Sequence, residues 1–208
     1  MASLSAGVLD FSGQVIELQR NIQTTWPGGV FASDSLSEIR ITSAFAGTDN
    51  TIAFLPGRNR LGKLVLDRSA NFQVVGGLPV TPHIRLNTPL VITGELELKD
   101  GEFFNGSGLT MKSGSRIIRT TDAGFSSTTL VAPAVGPYHI VYRDGIKAGP
   151  MVSGKEGEGT IGICEVSVSD QVIVASGVGR VGELRVTSGT ADCSGSVLSA
   201  DSVSISGA

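Results

Sequence analysis

The sequence predicts an all-β protein: a right-handed parallel β-helix of two tandem copies of a multi-strand repeat, behind an atypical N-terminal segment. Three observations carry that prediction. Apolar and polar residues alternate with a period of two in short runs, small turn residues punctuate those runs, and the chain repeats itself. Leu64 and Leu66, Leu96 and Leu98, and Val166 and Val168 set the alternation, which sends successive side chains to opposite faces of a strand. Lys99-Asp100-Gly101, Asn105-Gly106 and Ser113-Gly114 supply turns, so the strands are short. In the repeat, Gly94-Glu95-Leu96-Glu97-Leu98 with Gly101 behind it returns as Gly182-Glu183-Leu184-Arg185-Val186 with Gly189 behind it, a shift of 88 residues. At the same shift Asn50–Phe54 and Gly57 fall on Tyr138–Tyr142 and Gly145, whereas Gly62–Gly77 matches Gly162–Gly177 at a shift of 100. Longer connections after Gly77 and after Gly145 absorb the difference. A sandwich gains nothing from such duplication, but a solenoid buries more core with each stacked turn. A coil of about 20 residues gives each copy three or four turns.

Taken in chain order, residues 1–45 form an N-terminal cap or docking segment, because an open solenoid end exposes strand edges and core. Within it Val15–Ile22 reads as a short helix or a strand, and Trp26-Pro27-Gly28-Gly29 as a turn. Residues 46–208 form the β-helix, with copy one at about 50–120 and copy two at about 138–206. Lys155-Glu156-Gly157-Glu158-Gly159 is the most polar stretch and reads as a mobile insertion.

Composition narrows the function classes. Aromatics make up only 5% of the chain against 28 glycines, which suits thin layers of small aliphatics. The net charge of -3 leaves no broad basic face, so nucleic acid is not an expected partner. No apolar run approaches membrane-spanning length, so no membrane insertion is expected. The segment Met1–Asp10 lacks the basic and apolar regions of a secretory signal. That points to a virion component released by lysis, or to a piece of a longer exported protein.

The residues able to carry chemistry are acids, two histidines and two cysteines. Glu95 and Glu97 lie two apart and share a face, outward if Leu96 and Leu98 point in; such a pair could hold calcium or act on a glycosidic bond. Their counterparts in the second copy are Glu183 and Arg185, and the exchange of an acid for a base reads as a solvated face. Asp100, Glu102, Asp122, Asp144, Glu156, Glu158, Asp170, Asp192 and Asp201 stand mostly beside Gly or Ser and read as turn residues. His83 and His139 lie apart from any Cys or second His, and read as surface or packed residues. Cys164 and Cys193 read as small buried hydrophobes, with a single bridge as the alternative. No catalytic, cofactor-binding or metal-binding residue is therefore expected.

The strings LVLDRSANFQVVGG, VITGELELKDGEFFNGSGLTMKSGSRIIRT and PYHIVYRDGIKAGPMVSG resemble the repeats of large bacterial surface adhesins, over about residues 50–206. They are similar also to the solenoids of bacteriophage spike and fibre proteins. The resemblance implies a parallel β-helix carrying adhesion. The expected function is a non-enzymatic structural or adhesive module, virion-associated as a phage spike, fibre or capsid-associated protein. Its partners would be other structural proteins of an assembly or a host-surface glycan, with a homotrimer if it is a spike. The alternatives are a fragment of an exported cell-surface adhesin, or a glycan-degrading enzyme using an acid such as Glu95 or Asp122.

Overall fold

Parallel strands are buried on one face and stacked through their backbones, so inward positions of successive coils must match in size and polarity. That requirement organises the whole chain in the computed structural model, an all-β solenoid. It describes residues 2–4, 6–19, 22–24, 28–42, 50–68, 73–75, 78–80, 83–105, 108–120, 123–125, 136–145, 149–174, 179–195 and 198–206. The strands are β1 (Ala2–Leu4), β2 (Gly7–Asp10), β3 (Val15–Leu18), β4 (Ile22–Thr24), β5 (Gly29–Ser33), β6 (Glu38–Ile41), β7 (Asn50–Ile52), β8 (Phe54–Asp67), β9 (Gln73–Val75) and β10 (Leu78–Val80). They continue as β11 (His83–Leu86), β12 (Leu90–Asn105), β13 (Leu109–Met111), β14 (Arg116–Thr120), β15 (Ala123–Phe125), β16 (Tyr138–Arg143), β17 (Met151–Val152), β18 (Ile161–Ile173), β19 (Arg180–Asp192) and β20 (Ser199–Ile205). The hairpin of β9 and β10 is antiparallel; every other pairing among the described residues is parallel.

One face runs the length of the solenoid. On it β3, β6, β8, β12, β14, β16, β18, β19 and β20 pair in that order. We call it the long face. A second face stacks β1, β4, β7, β11, the end of β12 and β15, and a third stacks β2, β5 and the start of β8. Inside the long face Ile16, Ile39, Leu64, Leu96, Ile117, Ile140, Cys164 and Leu184 stand one above the next, and Val203 continues the register on the last strand, where it is exposed. Successive members lie 19 to 25 residues apart, except for 32 between Leu64 and Leu96, where the hairpin is inserted. Most of this column is fully buried, so each coil adds apolar area to one continuous core.

The repeated glycines have separate physical reasons. A Cβ on Gly94 would lie 2.4 Å from the carbonyl oxygen of Gly62, and one on Gly182 would lie 2.7 Å from that of Gly162. These positions form the leading corner of the long face, where backbones of neighbouring coils nearly touch. Gly101 and Gly189 stand at the trailing corner with φ of +96° and +72°, which lets β12 and β19 bend from one face to the next. The shifts of 88 and 100 both relate strands four rungs apart on the long face, β12 to β19 and β8 to β18. Asn50–Ile52 and Tyr138–Tyr142 differ in this respect: β7 lies on the second face and β16 on the long face. Val15–Leu18 is a strand, and β1–β6 stack in the same columns as the rest. Trp26 and Pro27 of the expected turn lie outside the described residues.

Candidate functional site

Outward positions of the long face carry charges of alternating sign. Glu38, Lys63, Glu95 and Arg116 follow one another on consecutive rungs, with His139 next. Lys63 Nζ lies 2.5 Å from Glu95 Oε1 and 3.0 Å from Glu97 Oε2, and Arg116 Nε lies 2.5 Å from Glu95 Oε2. Both oxygens of Glu95 are thereby held by cations. Burial alone would raise the Glu95 pKa, but the hydrogen bonds from Lys63 and Arg116 together bring it below the ordinary carboxylate value. Glu95 and Glu97 do share the outward side, with Leu96 and Leu98 fully buried behind them. Four rungs on, Glu183 is gripped by Arg185, which also approaches Glu165 at 3.7 Å. A carboxyl pair that divides acid and base roles needs environments that push the two pKa values apart, and here the cations favour the ionised form of Glu95.

Two shallow hollows lie along this face and share Asp67, Glu97 and Lys99. One, of about 350 Å³, is bordered by Glu17, Arg40 and Lys63. The other, of about 330 Å³, is bordered by Ile118, Thr120, Arg143 and Asp144. Together they form a groove that crosses the strands, along the stacking direction. Its floor includes Val65 and Ile118, which face outward yet are 5% and 4% exposed.

Inside the solenoid the second inward column reads Leu18, Ile41, Leu66, Leu98, Arg119, Tyr142, Val166 and Val186, with Ile205 next in register but exposed on the last strand. Arg119 is the one charged member. Its Nε donates to the Ala123 carbonyl at 2.8 Å, and Nη1 donates to the Val152 carbonyl at 2.8 Å and to Glu156 Oε1. Glu156 is fully buried and also accepts from Gly154 N–H at 2.9 Å and from the Tyr142 hydroxyl at 3.3 Å. The Tyr138 hydroxyl donates to the Glu156 carbonyl at 2.5 Å. Burial pushes the Tyr138 phenol up to about 12 and the Tyr142 phenol well above 10, the latter helped by the Glu156 charge. Lys155–Glu158, expected within a mobile insertion, is instead a 3₁₀ turn whose first acid, Glu156, is a core residue while Glu158 is exposed. The sequence held one usable signal for this cluster: Arg119 breaks an apolar alternation at an inward position.

The remaining candidates separate. Asp192 accepts the Ser194 N–H at 2.9 Å, as turn acids do, whereas Asp144, expected as a turn acid, accepts the Ser169 N–H at 2.9 and 3.0 Å from 25 positions along the chain. Asp201 pairs with Arg180 at 3.0 Å. Asp122 lies outside the described residues, as does the side chain of His83. Cys164 is buried in the first inward column, and neither it nor Cys193 is in a disulfide. Among the described residues no three acids, histidines or cysteines gather into a metal-binding group, and no helix is long and apolar enough to cross a membrane. No protein-family model, curated protein or solved structure matches the chain.

Proposed function

We propose that this chain is a non-enzymatic β-solenoid rod, a structural and attachment module of a virion such as a phage spike, fibre or capsid-associated protein. The observation that carries the reading is the state of the long face's acids. Glu95, Glu97, Glu165 and Glu183 are each paired with a lysine or arginine along or across the rungs, which favours a rigid ion-paired surface over a proton-transferring pair. The stacked core supplies stiffness, and the groove across the long face supplies a surface for contact with a host glycan or with neighbouring structural proteins.

Two measurements test it. Peptide mass spectrometry of purified particles should find the chain among virion proteins; its recovery only from the bacterial envelope would replace the virion reading with the surface-adhesin one. Incubation with host capsular and surface polysaccharides should leave their chain length unchanged. Reproducible cleavage, lost on Glu95→Ala, would establish a glycan-degrading enzyme instead.

A further inference from the structure

We propose that the hollow bordered by Lys99, Thr120, Arg143 and Asp144 binds one uncharged sugar residue of a surface polysaccharide. This rests on the attachment reading above and adds to it the place of contact and the chemical class of the ligand. Arg143, at the end of β16, is exposed, and its side chain has no hydrogen-bond or ion-pair partner among the described residues. Lys99 Nζ lies 3.7 Å from Glu97 and 3.8 Å from Asp67, too far for a hydrogen bond. Its N–H groups are attracted by those carboxylates without being used up by them. Thr120 stands between the two cations: its hydroxyl donates to the Lys99 carbonyl at 2.5 Å, and its backbone is in register with Arg143. The backbone positions that carry the two cations are thus about two rungs, roughly 10 Å, apart.

The charge balance selects the ligand. Two cations face Asp67, Glu97 and Asp144, and Asp144 is engaged by Ser169. An anionic ligand would meet three carboxylates, and a cationic one would meet Lys99 and Arg143. A polyol avoids both conflicts, since hydroxyls donate to carboxylates and accept from a guanidinium or ammonium. Ile118, 4% exposed, closes the base of the hollow, so the polar side chains around the rim carry the recognition.

The experiment uses the full chain on an array of bacterial capsular and O-antigen oligosaccharides, neutral and sialic-acid-containing, with maltohexaose included. The best-bound neutral glycan is then titrated calorimetrically. Arg143→Ala and Lys99→Ala should each weaken its binding at least about tenfold, the loss of one charged hydrogen bond. Arg60→Ala, at another exposed arginine, should leave it unchanged, and all three variants should keep the wild-type thermal midpoint. A glycan bound equally by all variants would overturn the site while leaving glycan attachment standing. Binding of acidic glycans alone would overturn the uncharged class. Binding of no glycan on the array would overturn the site together with glycan attachment.

Discussion

Glu156→Leu is the most exacting perturbation the fold offers. The substitution keeps roughly the side-chain bulk and removes the only carboxylate among the described residues that pairs with Arg119 inside the solenoid. The Arg119 side chain is 12% exposed, so its guanidinium meets little water. It retains the Ala123 and Val152 carbonyls, while Tyr142 and Gly154 each lose an acceptor. Breaking a buried pair by removing one partner costs about 3–5 kcal/mol, and the two surviving carbonyls place this case near 3 kcal/mol. For 208 residues that corresponds to a fall in the thermal midpoint of roughly 6–12 °C. Replacing both partners, as Arg119→Met with Glu156→Leu, removes the stranded charge and should recover stability to within about 1 kcal/mol of wild type. Circular dichroism against temperature and against urea measures all three proteins. A single variant within about 1 kcal/mol of wild type, or a double variant no better than the single, would refute the assignment of this pair as a buried, mutually dependent unit.

Other outcomes follow from the same geometry. Gly94→Val should cost more than about 2 kcal/mol, because its Cβ would meet the Gly62 carbonyl, while Gly179→Ala, which meets nothing within 4 Å, should be tolerated in the same melt. The chain has two tyrosines, both with raised pKa values. Absorbance at the tyrosinate band should therefore show no ionisation as the folded protein passes the ordinary phenol value of 10. The stabilisation this reflects is present below that value and is lost as pH rises through the folded values, so alkaline unfolding and tyrosinate should appear together. Glu95 has the opposite sign: its lowered pKa contributes stability above the ordinary value of 4.5, lost as pH falls through the folded value. The stability gap between wild type and Glu95→Gln should accordingly shrink on acidification below that value. The Cys164 thiol, buried and pushed up to about 12, should react with a maleimide only on unfolding, whereas the more accessible Cys193 labels first.

The solenoid was legible in the sequence because its rules are local. Alternation around Leu96 and Leu98 gives the inward side, and Gly94 and Gly101 bracket that strand at its two corners. The outward placement of Glu95 and Glu97 followed from the same alternation. What local rules do not carry is which strand stacks on which face. Asn50–Phe54 and Tyr138–Tyr142 share a pattern that any strand of the fold displays, so matching them could not reveal that they lie on different faces. The Arg119–Glu156 pair was illegible for a related reason. Its partners are 37 positions apart, and a glutamate between a lysine and a glycine looks like loop chemistry until the 3₁₀ turn folds it inward. The groove joins Glu17, Lys63, Lys99 and Arg143 from separate coils, a proximity set by coil lengths that vary with each insertion.

The nine-rung pairing of the long face has a mechanical consequence. Its backbone hydrogen bonds point along the axis of the rod, so a pull applied end to end does not load them together. Coils would peel away one at a time, and the weakest junction between neighbours sets the force the whole rod can bear. A sideways load along the strand direction is different, since the bonds of a rung must then shear as a group. A tether attached through the grooved flank would hold far better than one attached through either terminus.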